Sequence, residues 1–201
     1  MMYAGENTMV VEDALSRINS IIERKPLEQT ADKKHPADTS ITFENVSFRY
    51  PGAVNDALHD VSLKINAGEQ VAFIGPSGGG KTTLARLIAR FADVTEGNIL
   101  IGGVNVKNID EKELMDTVSF VFQDSHLLKM SILDNVRMGN KNATRQEVME
   151  ALKNAQCDDI IEKLPDGIDT VIGSKGTYLS GGEAQRIAIA RAMLKNSPML
   201  I

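Results

Sequence analysis

The apolar stretch Val71-Ala-Phe-Ile74 runs directly into Gly75-Pro-Ser-Gly-Gly-Gly-Lys-Thr82, and this junction constrains the fold more than any other part of the 201-residue chain. A continuous apolar run predicts a strand buried on both faces. The residues after it fit the phosphate-binding loop pattern G-x-x-x-x-G-K-[ST] at every fixed position, and Lys81 to about Phe91 reads as the helix that follows. Glycines admit the backbone conformations that aim successive N–H groups at one point, and the helix adds its positive N-terminal end. Lys81 is placed to hold the β- and γ-phosphates, and the Thr82 hydroxyl to take a position on Mg²⁺. A plain glycine-rich turn between strand and helix is the alternative, and the full match in this context outweighs it.

A second motif is Leu179-Ser-Gly-Gly-Glu-Ala-Gln-Arg186, at the start of a strong helical pattern over Gly181–Lys195. With Ser180 at the N-cap and Glu183 three residues on, it reads as a capping box. The free N–H groups of the same turn also make a place to hold phosphate. The two readings are compatible, because cap and anion site use the same donors.

Composition sets broad limits. Hydrophobic residues at 42% and charged residues at 24% are ordinary for a globular domain. A net charge of −5 argues against a nucleic-acid partner, which calls for a basic face. The single Cys157 forms no internal disulfide and reads as a core or surface thiol; His35, His59 and His126 read as loop or surface residues. No stretch approaches the ~20 apolar residues of a membrane span. Glu6, Glu12 and Asp13 interrupt any apolar leader, so no signal peptide is expected.

Along the chain, Thr8–Lys25 predicts an amphipathic helix with Val10, Ala14, Leu15, Ile18, Ile21 and Ile22 on one face, closed by Pro26. Thr30–Ser40 reads as a linker. Ile41–Phe43 and Val46–Tyr50 alternate in opposite parity, which predicts a bulge near Glu44-Asn45. Val61–Ile65, Asn98–Ile101, Val118–Phe122 and the run from Pro198 read as strands; Ile132–Met138, Arg145–Gln156 and Asp159–Leu164 read as helices.

A phosphate loop followed by Leu-Ser-Gly-Gly-Glu resembles the nucleotide-binding domain of ATP-binding cassette (ABC) proteins, and the resemblance covers the chain from Ile41 onward. It implies an α/β fold: a RecA-like P-loop ATPase core with an N-terminal antiparallel β subdomain and an α-helical signature subdomain at about 124–180, incomplete at the C-terminus. It implies ATP and Mg²⁺ bound by Gly75, Pro76, Ser77, Gly78, Gly79, Gly80, Lys81, Thr82 and Thr83, with Tyr50 stacking on adenine. Gln123, ending Val-Ser-Phe-Val-Phe-Gln, would touch Mg²⁺ and the attacking water, so Lys81 and Gln123 are the expected catalytic residues and Thr82 and Gln123 the expected metal contacts. Ser180, Gly181, Gly182 and Glu183 would complete, in trans, the site of a second nucleotide-binding domain in a head-to-tail dimer.

The resemblance is closest to exporters. Residues 1–29 resemble the cytoplasmic end of a last transmembrane helix, joined by a linker at 30–40 to a nucleotide-binding domain fragment at 41–201; Met130-Ser-Ile-Leu-Asp-Asn-Val136 also looks exporter-like. Two departures stand out. Thr170-Val-Ile-Gly-Ser-Lys-Gly176 keeps an exporter frame but lacks its two acidic residues, and Glu183 replaces the commoner glutamine. The family's metal-binding aspartate, base glutamate and switch histidine are expected beyond Ile201. The expectation is therefore a transport ATPase at the cytoplasmic face of a membrane, with a permease domain in the parent chain, of which these residues bind ATP without hydrolysing it. The family's strand between the last strand and Val71–Ile74 is also expected to be missing, leaving the sheet open there. A non-transport ABC ATPase acting on DNA or ribosomes is the alternative; the compact spacing and acidic balance count against it.

Overall fold

A computed structural model describes residues 3–23, 26–173 and 177–201, and divides the chain into two units, Met1–Thr30 and Ala31–Ile201. The first unit is one helix, α1 (Tyr3–Ile22), on which Leu15, Ile18 and Ile22 recur at spacings of three and four and are all exposed. The predicted continuation through Arg24 and Lys25 lies outside the described residues. Among the described residues no helix is long and apolar enough to cross a membrane.

The second unit opens with a four-stranded antiparallel sheet. Strand β1 (Ile41–Phe48) pairs on one edge with β2 (Leu58–Ile65) and on the other with β3 (Glu96–Ile101), which carries the short β4 (Val104–Asn105). The parity change in β1 is a bulge between Phe43 and Val46, where Asn45 takes φ 47° and its N–H donates to Ser62 Oγ at 2.9 Å. Gly97 lies against it on β3: a Cβ there would come within 2.4 Å of the Glu44 and Asn45 carbonyl oxygens. The inner face buries Phe43, Val46, Ile99 and Ile101 in one core with Leu84, Leu87 and Ile88 of helix α2 (Lys81–Ile88). Helix α2 stops short of the expected Phe91, because Arg90 turns the chain at φ 52°.

Residues 31–40 run over the β3–β4 turn, with Lys34 N–H donating to Asn108 O and Ala37 N–H to Gly102 O. Helix α3 (Glu111–Thr117), absent from the sequence reading, is capped by the Asp110 side chain. It leads into β5 (Val118–Ser119), paired in parallel with β6 (Met199–Leu200) and extended by Val121 N–H to Ile201 O at 2.7 Å.

Two expected strands differ: Val118–Phe122 forms a strand only over Val118–Ser119, and Val71–Ile74 forms none. Val71–Ile74 is not a buried strand: it belongs to no sheet, and Ile74 is 95% exposed. A parallel strand buried on both faces requires neighbours on its edges, and β6 does not reach it. A cavity of about 630 Å³, lined by Val71 and Phe73 on one side and Met199 and Ile201 on the other, lies between them. The opening expected beside the phosphate-loop run is present.

A second core is helical. Helices α4 (Ile132–Arg137), α5 (Arg145–Asn154), α6 (Asp158–Ile161) and α7 (Gly181–Lys195) enclose Ile132, Val136, Val148, Leu152, Ile160 and Ile187. Cys157 is fully buried there, and burial pushes its thiol up to about 11, so it is an inert packing residue. Of the exporter-like frame at Thr170–Gly176, Ser174, Lys175 and Gly176 lie outside the described residues.

Candidate nucleotide site

The phosphate loop is built as its glycines predict. Gly78 and Gly80 sit at φ 79° and 78°, a region costly for any residue with a Cβ. Gly80 is doubly constrained, since a Cβ would lie 2.6 Å from both the Ala57 carbonyl oxygen and Leu58 Cδ2. The first intrahelical bond of α2 is Leu84 N–H to Gly80 O at 2.8 Å. Among the described residues, the N–H groups of Gly80, Lys81, Thr82 and Thr83 therefore meet no acceptor. They form a cluster of free donors at the positive end of a helix. The Lys81 ammonium folds back on the loop, donating to Gly75 O at 2.9 Å and Pro76 O at 2.7 Å. This places a cation at the loop mouth, held by neutral carbonyls that an anion can displace.

Tyr50, expected on adenine, and Thr83, expected among the phosphate contacts, touch each other: Tyr50 Oη lies 3.1 Å from Thr83 Oγ1. The Tyr50 ring stands edge-on to Phe48, with centroids 4.9 Å apart, and remains 40% exposed. Both residues line a small apolar pocket of about 210 Å³ with Phe91 and Phe122. Thr82 and Gln123 share a larger cavity of about 590 Å³ with Arg86, Asp124 and His126. Asp124 is the one carboxylate among its described lining residues. No group of three His, Cys, Asp or Glu side chains that could hold a metal exists among the described residues. Neutral oxygens of Thr82 and Gln123 alone bind Mg²⁺ poorly, so a metal here would arrive with phosphate oxygens.

The second motif is a capping box with donors left over. Ser180 N–H donates to Glu183 Oε2 at 2.8 Å, and Glu183 N–H donates to Ser180 Oγ at 3.3 Å. The Ser180 N–H holds the Glu183 carboxyl below the ordinary glutamate range. Ala184 N–H begins the helical ladder on Ser180 O. Gly181 and Gly182 remain: exposed, with no acceptor for either N–H among the described residues and nothing within 4 Å of where a Cβ would stand. None of Ser180, Gly181, Gly182 and Glu183 lines the cavity at Thr82. Farther along α7, Arg186 grips Asp159 through both oxygens at 2.7 and 3.1 Å, drawing that carboxyl below its usual range and bracing the helix start against α6.

Sequence reasoning missed Asp124 and Arg86 as cavity residues, and it gave Asn135 no role beyond the exporter-like stretch Met130–Val136. Asn135 is fully buried within the apolar pattern of Ile132–Val136. A polar residue on the inward face of a short helix was the available signal, since buried amides require a full set of partners.

Comparisons with known proteins agree with this geometry. The family described as ABC transporter matches residues 58–201. An ATP-dependent lipid A-core flippase of Methylobacillus flagellatus is 45% identical over 166 residues, which is 82% of this chain and 28% of the flippase. A beta-(1→2)glucan export ATP-binding/permease protein of Brucella suis is 41% identical over 182 residues, 87% of this chain and 30% of that protein. A solved bacterial Atm1-family ABC exporter with ATP bound superposes with a TM-score of 0.83 at 39% identity, covering 94% of this chain and 33% of its own. The chain thus spans about a third or less of these relatives' lengths. With a phosphate loop, a second glycine-capped helix start and a match over most of its length, the chain belongs to the ABC transporter family.

Proposed function

We propose that this chain carries the ATP-binding step of an exporter, and that its two motifs serve two different nucleotides. The observation that carries the reading is the separation of two sets of free backbone donors. One lies at Gly80–Thr83 beside the cavity of Thr82 and Gln123; the other lies at Gly181-Gly182, outside that cavity. One triphosphate bound at the loop leaves the second set unused. A second copy of the domain in head-to-tail arrangement brings its own nucleotide to it.

In this reading Lys81 leaves its loop carbonyls for the β- and γ-phosphates, and Thr82 and Gln123 contact Mg²⁺. Tyr50 leaves Thr83 to stack on adenine, and the freed Thr83 hydroxyl donates to the α-phosphate. Ser180, Gly181 and Gly182 meet the partner's γ-phosphate, with Glu183 fixing the turn. Residues 1–29 enter from a permease domain and 30–40 link it to the nucleotide-binding part, on the cytoplasmic face of the membrane. The fused permease/ATP-binding organisation of the relatives supports that placement. Within these residues the site binds rather than turns over nucleotide, since Asp124 is the one carboxylate among the described residues lining the Thr82 cavity.

Calorimetric titration of the 201-residue chain with Mg·ATP tests this. Binding without measurable phosphate release is expected, and Lys81→Ala should weaken it at least about tenfold, the loss of a charge-assisted contact of roughly 1.5–3 kcal/mol. Equal affinity in that variant refutes the loop as the nucleotide site.

A further inference from the structure

The segment carrying Gln123 is fastened at both of its ends to α7. At the near end, Ser119 Oγ donates to Ala192 O at 3.3 Å, and Lys195 Nζ donates to the carbonyls of Val118, at 2.7 Å, and Met115. At the far end the tie passes through Asn135. Its Nδ2 donates to Leu128 O and Ser131 O, each at 3.0 Å, and its Oδ1 accepts the Leu128 N–H at 2.9 Å. Arg191 of α7 then holds Asn135 from behind, with Nε on the Asn135 carbonyl at 2.8 Å and Nη2 on Oδ1 at 3.2 Å. Between these anchors, Phe122, Gln123 and Asp124 are all exposed.

The seam between α4 and α7 is tight enough to transmit position. Gly139, just past α4, lies so close to α7 that a Cβ would stand 2.2 Å from the Arg191 carbonyl oxygen. An apolar side chain could fill the core at position 135 without any hydrogen bond; an amide with every polar atom engaged specifies one loop path instead. We infer that Asn135 and Arg191 are positioning residues that lock the Gln123 segment to α7, so that Gln123 and the Ser180 end of that helix move as one body. The lever is about 15 Å long from Gly181 to Arg191 at 1.5 Å per residue. A ligand that shifts the Gly181-Gly182 end of α7 would thereby carry Gln123 with it, and a ligand held at Gln123 would bias the helix start in return. This rests on the reading above that both elements face nucleotide.

Amide exchange followed by NMR on the 201-residue chain tests the lock without any ligand. Arg191→Met keeps the stem and removes both bonds, so the Leu128 and Met130 amides should exchange about tenfold faster. The Ala155 amide, at the end of α5 in the same core, should change less than about twofold. Equal acceleration at all three positions overturns the proposal, because it describes general loosening of the core. Arg191→Lys keeps the cation and loses the two-point grip; it covers the case in which the methionine variant does not fold. Several-fold faster exchange at Leu128 is expected of it, and wild-type exchange there overturns the proposal.

A second measurement compares ATP affinity with Mg²⁺ and with chelator. In Arg191→Lys the gain from Mg²⁺ should shrink several-fold while the metal-free affinity stays at wild type. Loss of both in parallel, or of neither, overturns the link to Gln123. A wild-type chain that binds no ATP defeats the functional reading alone, and the exchange arm still decides the lock.

Discussion

Gly182 offers a test in which stability and function should move in opposite directions. It occupies the second position of α7, its φ is not positive, it is exposed, and a Cβ there would meet nothing within 4 Å. The fold therefore has no need of glycine at this point. Glycine in a helix is less favourable than alanine by roughly 0.8–1 kcal/mol, through the freedom it loses on folding. In a first turn, part of that difference applies, so Gly182→Ala should stabilise the chain by about 0.5–1 kcal/mol. For a domain of this size each kcal/mol shifts Tm by about 2–4 °C, giving an expected rise of roughly 1–4 °C in a thermal scan. In the proposed reading a phosphate approaches the Gly181 and Gly182 N–H groups, and the added methyl group crowds that approach. Under the proposed pairing, losing one charge-assisted bond of about 1.5–3 kcal/mol should lower ATP turnover by the full-length parent protein about 10–150-fold. A lower Tm would mean the fold itself requires the glycine. Unchanged turnover would mean that nothing approaches this turn. Either result refutes the reasoning.

Two further outcomes follow from the same geometry. Gly80→Ala must place a Cβ at φ 78° and 2.6 Å from a backbone oxygen, so strain of about 1–2 kcal/mol adds to overpacking of about 1–3 kcal/mol; Gly78→Ala, with the same φ but open space, should lose only the first part, and equal Tm losses for the two would overturn this. The carboxyls of Glu147 and Glu183 are held below the ordinary glutamate value first of all by the backbone N–H groups of Thr144 and Ser180. A depressed folded-state value means the stabilisation is complete above about pH 5 and is lost as pH falls below about 4.3 through the folded values; the double variant Glu147→Gln/Glu183→Gln should show a shallower acid limb in Tm against pH, and an identical limb would refute the assignment.

The loop, the capping box and the bulge were legible because each is a local phenomenon. Positive φ at Gly78 and Gly80, a serine three residues before a glutamate, and a parity change around Asn45 all act within a few residues, and the structure has each where the sequence implies it. Two kinds of feature were not legible. The run Val71–Ile74 has the composition of a buried strand, but a strand is defined by its neighbours, and composition cannot say whether they are present. The tie from Arg191 to Asn135 spans 56 positions, and the contact of Gly139 with Arg191 depends on how two helices cross. Helix α3 was missed for a third reason: its seven residues carry only Leu114 and Met115 as apolar anchors, too few to show a period.

The hydrogen bonds already made within the site bear on where binding energy can come from. Lys81 already has two carbonyl partners, Tyr50 already bonds Thr83, and Glu183 already bonds Ser180. For Tyr50 and Thr83, binding exchanges one hydrogen bond for another at small net gain, whereas Lys81 exchanges neutral carbonyls for a charged phosphate, the stronger partner. The N–H groups at Gly80–Thr83, and those of Gly181 and Gly182, have no partner among the described residues, so a phosphate oxygen there replaces water alone. Charge adds to the same positions, since each set sits at the positive end of a helix. Affinity should therefore concentrate on the phosphates and depend little on the base, and in the proposed reading it divides between two sets of donors, of which only the first lies beside the Thr82 cavity. Under the proposed head-to-tail arrangement, the second set of donors gains its partners when another copy delivers them, and binding would then favour pairing of two domains.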